Sequence, residues 1–383
     1  MSPPDLVLAN ARLVLPERVV HGAVVVRDGF IHAVEEGVTR PAGAIDCAGD
    51  YLLPGLVELH TDHLESHYMP RPGVRWDALA AVQAHDLQVA GSGITTVFDA
   101  LRVGSDPDAT DVGRDTQILA DAIGRARKDR RLRAEHFLHL RCEVPAATVV
   151  AEAGPLFAAG LVRLASLMDH TPGQRQFVDL AQYRRYYQAR AGFSDDEMEA
   201  YVTYRQKVGA EAGAVNRPQL VAMARAGGAI LASHDDATPA HVAEAVAEGV
   251  RIAEFPTTTD AAQAARAAGL AILMGAPNVV RGGSHSGNAS ATQLAEQGLI
   301  DILSSDYVPF SLIHAAFLLP ERAVGVSLSE AVGFVTRRPA LAAGLTDRGS
   351  LTPGLRADVV RVHRPPGTLP QVVSVWRQGT RVA

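Results

Sequence analysis

A chain of 383 residues, 47% hydrophobic and 20% charged, is long enough for a large barrel with a smaller partner and too apolar for wholesale disorder. Its formal charge of -6, from 36 basic and 42 acidic side chains, argues against a nucleic-acid partner held by phosphate neutralisation. Cys47 and Cys142 lie far apart, no Sec-type leader precedes the first strand pattern and no run reaches about 18 apolar residues, so the sequence predicts a cytoplasmic chain with neither a disulfide framework nor a membrane partner.

Leu6 to Leu15 and Ala23 to Val34 alternate apolar and polar residues around Arg27-Asp28-Gly29, the pattern of half-buried antiparallel strands. The centre differs: β-branched runs alternate with Ala-rich helical stretches, which predicts an α/β chain with repeated βα units around a parallel sheet. Strands are expected at Gly55 to Leu59, Thr95 to Asp99, Phe137 to Cys142, Val162 to Met168, Ile230 to Ser233, Ile252 to Phe255, Ala271 to Met274 and Asp301 to Ser304. These are the eight strands of a (β/α)8 TIM-like barrel, expected over residues 53–344. A helical insertion at about 174–228 carries Tyr183, Tyr186, Tyr187, Tyr201 and Tyr204, read as packing residues in preference to a lid. Short strands return at Gly349 to Leu355, Ala357 to Arg361 and Val372 to Arg377, around Pro365-Pro366-Gly367.

Active sites of such barrels gather at the carboxyl ends of the strands. His60 and Asp62 share a face after the first strand, by strand alternation. Glu143 follows the third strand, His170 the fourth, His234 the fifth and Asp306 the eighth. Imidazole nitrogens mixed with carboxylate oxygens suit zinc first, with manganese or iron fitting the same donors. Six ligands exceed what one open tetrahedral ion needs and predict two divalent ions. Cys142 should turn away from the mouth and pack. Asp235 and Asp236 either support the site or cap the following helix. His67 and His139 are open between orienting a metal ligand, touching substrate and packing as polar barrel residues.

Pro54-Gly55-Leu56-Val57 running into His60, an Asp ending the last strand and β-rich flanks resemble the amidohydrolase superfamily across essentially the whole chain. The resemblance implies a metallo-dependent hydrolase barrel with a small β-sandwich domain built from residues 1–52 and 345–383. Asp62 departs from the commoner pattern, which has a second histidine there. Relatives often bridge their metals with a carboxylated lysine; Lys128 lies in a charged helix and Lys207 in the insertion, which leaves Glu143 as the expected bridge. His60-Thr61-Asp62-His63-Leu64-Glu65 with Met69 to Val74, His170 to Phe177, Gly275 to Asn278 with Asn288, and Ser305-Asp306-Tyr307 are similar to the diphosphatases of the carbon–phosphorus lyase pathway. That similarity implies a phosphorylated sugar substrate, whose 5-triphosphate is cut to a 5-monophosphate and pyrophosphate.

Such a substrate needs a nucleophile at neutral pH and donors for phosphate charge. Asp306 is the expected catalytic group that orients and deprotonates water. Arg281, Gly282, Gly283, Ser284 and Ser286, in the loop after the seventh strand, are expected to bind phosphate along with Arg175. Arg75 and Arg141 offer further positive charge. His63, Glu65, Arg71 and His285 are candidates for orienting the metal ligands or touching substrate. An amide, cyclic-amide or aminated-ring hydrolase would use the same metals without that loop, and a barrel without catalysis would be a binding scaffold. A nucleotide-binding protein would need Gly-rich fingerprints that the sequence lacks. A homo-oligomer is left open.

Overall fold

The computed structural model describes residues 5–38, 40–104, 115–175, 180–181, 183–184, 188, 193–284 and 287–383. The chain opens with β1 (Leu6–Val14), β2 (Val19–Arg27), β3 (Phe30–Glu36), β4 (Ile45–Asp46) and β5 (Tyr51–Pro54). Barrel strands follow: β6 (Leu56–Thr61), β7 (Ile94–Val103), β8 (Glu135–Glu143), β9 (Val162–Met168), β10 (Ile230–His234), β11 (Ile252–Glu254), β12 (Ala271–Gly275) and β13 (Ile302–Ser304). The chain closes with β14 (Val359–His363), β15 (Gln371–Arg377) and β16 (Thr380–Arg381). Interleaved helices are α1 (Leu64–Tyr68), α2 (Ala78–Gly91), α3 (Thr116–Lys128), α4 (Val149–Ala158), α5 (Asp195–Ala226), α6 (Pro239–Ala247), α7 (Thr259–Ala267) and α8 (Ala276–Arg281).

The terminal strands form one sheet in the order β16-β15-β14-β5-β1-β2-β3, with β4 on β1. Asp28 and Gly29, at φ 50° and 82°, make the tight left-handed turn that matches strand twist between β2 and β3. Ile31 from one flank shares a core with Val359 and Trp376 from the other. Gly349 to Leu355, expected as a strand, forms none: Pro353 has no N–H to give a ladder and Gly354 turns the chain at φ 92°. The crossing into the barrel is at Gly55, whose N–H donates to the Asp358 carbonyl at 2.8 Å. A Cβ there would stand 2.2 Å from Thr95 Oγ1, so only glycine lets the two sheets approach.

The eight barrel strands pair in parallel from β6 round to β13, at the places the apolar runs predict. Thr61 and Asp306 bridge the first and last strands. Buried Glu58 clamps the same seam, accepting from Ser304 Oγ at 2.7 Å and from the backbone N–H of His60 and Ser305, both at 2.6 Å. Below the mouth the barrel is filled by Val57, Leu59, Phe98, Phe137, Leu164, Ile252, Leu273 and Ile302, so it is a packed core and no pore. Alternation on β8 turns Cys142 into the outer core, where burial pushes its thiol up to about 12. That is the packing role expected of it.

Within the insertion, α5 starts with a reciprocal Ser194–Glu197 capping box. Asn216 Nδ2 anchors it by donating to the carbonyls of Val144 and Ala146 at 3.0 and 2.9 Å. Tyr183 packs with Met198 and Val202, Tyr201 sits beside them and Tyr204 faces outward. Tyr186 and Tyr187 lie outside the described residues. Among the described residues no helix is long and apolar enough to cross a membrane.

Candidate metal centre at the barrel mouth

Three histidines reach the mouth from three strands, and each has its Nδ1 committed to a carboxylate. His60 Nδ1 donates to Glu254 Oε1 at 3.3 Å, His234 Nδ1 to Glu254 Oε2 at 3.2 Å and His170 Nδ1 to Glu143 Oε2 at 2.6 Å. A carboxylate on one ring nitrogen fixes the tautomer and leaves the other nitrogen, Nε2, as the ligating atom. His60 and His234 stack with centroids 5.6 Å apart, and His170 meets His234 edge-on at 6.2 Å. Asp235 Oδ2 lies 3.5 Å from His234 Nε2 and 4.0 Å from His170 Nε2. Ligand atoms of His170, His234 and Asp235 all lie within 4.8 Å of one another, as do those of His60, His139 and Glu254. This nitrogen and oxygen set, oriented from behind by carboxylates, fits a divalent transition metal.

Glu254, at the end of the sixth strand, is a residue that strand-end reasoning passes over. It is fully buried and also lies 2.5 Å from the Ser166 hydroxyl. Burial opposes its charge, yet His139, His60 and the hydrogen bond from His234 hold its carboxyl well below the usual range. Applied to Ile252–Glu254, the strand-end rule would have reached it. His139 donates from Nδ1 to the Leu59 carbonyl at 2.8 Å. Burial pushes its pKa down to about 3 against the opposing charge of Glu254.

Glu143, expected to bridge two ions, is engaged otherwise. It accepts from the His170 backbone N–H at 3.1 Å, from His170 Nδ1, and from Arg102 Nη2 at 3.0 Å. Burial raises its pKa, but His170 and Arg102 outweigh that and bring it to about 2. Asp62 faces a cation: Arg141 Nη1 donates to its Oδ2 at 3.1 Å. Asp306 has a backbone φ of 55°, and its N–H donates to the His60 carbonyl at 3.1 Å. Burial, then the charges of Asp62, Glu58 and Asp235, push its carboxyl up to about 7 against the pull of Arg141. A carboxyl poised near neutrality suits proton transfer. Burial and Asp62 likewise raise Glu65 to about 7. Arg102 and Arg141 are register partners on β7 and β8, facing Glu143 and Asp62 respectively.

Of the expected phosphate donors, Arg175 and the two glycines are engaged within the protein. Arg175 is only 3% exposed and is bound to Asp236 and, at 2.8 Å, to Glu244; its charge is spent inside the protein. Gly282 and Gly283 both donate their N–H to the Asn278 carbonyl, at 3.1 and 2.9 Å, so these glycines close the end of α8. Gly282 takes the left-handed conformation at φ 84° that such a cap requires. Arg281 is exposed at that helix end and Ser284 is half-buried beside it. Ser286 and His285 lie outside the described residues. Arg71 is exposed. His63 donates from Nδ1 to the Tyr307 carbonyl at 3.1 Å.

Residues 77–383 match the family model described as "Amidohydrolase family". The chain is 46% identical over 378 residues to alpha-D-ribose 1-methylphosphonate 5-triphosphate diphosphatase of Escherichia coli strain K12, covering 98% of this chain and 100% of that one. Among solved structures, molinate hydrolase superposes with a TM-score of 0.67 at 15% identity, over 100% of this chain and 95% of that chain. N-acetyl-D-glucosamine-6-phosphate deacetylase from Mycobacterium smegmatis superposes at 0.62 and 17% identity, over 99% and 100%. These two likenesses establish the shared fold.

Proposed function

The chain belongs to the amidohydrolase family, and from that premise we propose that this hydrolase cuts alpha-D-ribose 1-methylphosphonate 5-triphosphate to the 5-monophosphate and pyrophosphate, a step in phosphonate degradation. The observation that carries the reading is the 46% identity to a diphosphatase along the full length of both chains.

His60, His170, His234 and Asp235, with Asp62 and Asp306 across the mouth, would hold one or two divalent ions, zinc being the first choice and manganese or iron fitting the same donors. When bound, such ions make water nucleophilic near neutral pH and draw charge from phosphoryl oxygens. The chain's own residues do the rest. Asp306 accepts the proton of the attacking water, as its raised pKa suits. Glu254 and Glu143 hold the histidine rings in register. Arg102 and Arg141 set a positive field around the anionic chain of the substrate, and Arg281 with Ser284 offers donors at the rim.

The test is a rate comparison of the metal-reconstituted protein on the sugar triphosphate, on cyclic amides and on aminated rings. Pyrophosphate release at least about a hundredfold faster than turnover of any amide or ring is expected. Faster amide or ring hydrolysis would replace this reading with the alternative chemistry of the family.

A further inference from the structure

Beyond the barrel wall, where α1 meets α2, lies a second group of imidazoles that the mouth does not use. Ring centroids of His63 and His67 are 5.1 Å apart, those of His63 and His85 6.2 Å, and those of His67 and His85 6.0 Å. We propose that His63, His67 and His85 form a separate site for one divalent transition metal, independent of the reaction proposed for the mouth.

His85 is fully buried, and its Nε2 donates to Asp99 Oδ1 at 2.9 Å. That bond places the proton on Nε2 and leaves Nδ1 as a bare lone pair. Nδ1 is buried and has no partner among the described residues, an expensive condition for a polar atom. Asp99 is fixed in turn by His136 Nδ1 at 2.8 Å, and His136 Nε2 by Asp86 Oδ1 at 3.3 Å. Asp86 is pinned by the backbone N–H groups of Arg133 and Ala134. Metal-binding histidines characteristically donate their other N–H to a carboxylate or a backbone carbonyl. His85 does so to Asp99, and His63 does so to Tyr307.

The remaining nitrogens converge on one oxygen: His63 Nε2 and His67 Nε2 lie 3.0 and 3.1 Å from Gln88 Oε1. Without a cation that oxygen accepts from both Nε2–H groups; an ion bound there would displace the two protons and take the same oxygen as its fourth donor. Three histidines around a tetrahedral zinc, with bonds of about 2.0–2.1 Å, have centroids about 5 Å apart. The observed centroid separations exceed that value by at most about 1 Å.

The experiment titrates the full-length, chelator-stripped chain with Co2+, following bound equivalents and the visible absorption bands. Wild type is expected to take up one more equivalent than His67→Ala. That equivalent persists in His234→Ala, which separates it from any ion at the mouth. Gln88→Glu, which adds a charged oxygen, is expected to tighten it at least tenfold, and it decides the matter should His67→Ala fail to fold. Unchanged stoichiometry in folded His67→Ala, or unchanged affinity in Gln88→Glu, overturns the site and leaves water as the partner of His85.

Discussion

Glu254 Oε1 lies 3.3 Å from His60 Nδ1, tying the sixth barrel strand to the first. The other oxygen of the same carboxylate holds His234, so one buried group sets two rings that face the mouth. Glu254→Gln keeps the shape but weakens both bonds. It is expected to lower metal affinity about 10–100-fold, read by competition against a chelator of known affinity. Unchanged affinity would mean that the rings are held by packing alone.

Asp306→Asn removes the proton acceptor while keeping its size and one side-chain oxygen that can still face an ion. Bound metal should stay near the wild-type amount, and turnover should fall by at least about a hundredfold. Metal analysis beside initial rates checks both. Turnover equal to wild type would take Asp306 out of the mechanism.

Arg175 and Arg281 should separate cleanly. Arg175→Met leaves buried Asp236 without its cation, which costs about 3–5 kcal/mol, so the melting temperature falls while KM stays. Arg281→Ala, at an exposed helix end, should raise KM about tenfold with the melting temperature unchanged, the loss of one charge-assisted contact. The opposite pattern would return Arg175 to the substrate.

Glu135 joins the barrel to the terminal sheet, accepting from Arg348 at 2.7 Å and from Arg356 at 2.6 Å. Burial raises its pKa, but the bond from Arg356 and the charges of both arginines win and lower it from 4.5 to about 2. A depressed carboxyl contributes stability above its unfolded pKa and loses it as pH falls through the folded one. Melting temperature should therefore drop from about pH 5 towards pH 2 in wild type. Glu135→Gln starts lower at pH 7 and should drop less over that range.

The barrel was legible because each strand is a short apolar run whose neighbours in sequence break it, and the mouth because His60, His170 and His234 stand at strand ends. Glu254 was hidden inside such a run, and its work is long-range: it serves rings 194 and 20 residues away. The partners of Arg175 are equally out of sight in sequence, since Asp236 and Glu244 lie 61 and 69 residues further on. Gly282 and Gly283 suggested an anion loop because a helix cap and a phosphate cradle ask for the same backbone freedom. Only the carbonyl of Asn278 distinguishes them.

The most direct test of phosphoanhydride hydrolysis is phosphorus NMR of the metal-loaded protein turning over ribose 5-triphosphate bearing a 1-phosphonate in 18O-water, beside a chelated control. One-step appearance of pyrophosphate and a sugar monophosphate, with a single 18O in one of the two and none formed in the control, is the predicted result. Orthophosphate released first, or no phosphorus product with zinc, manganese or iron, would contradict it.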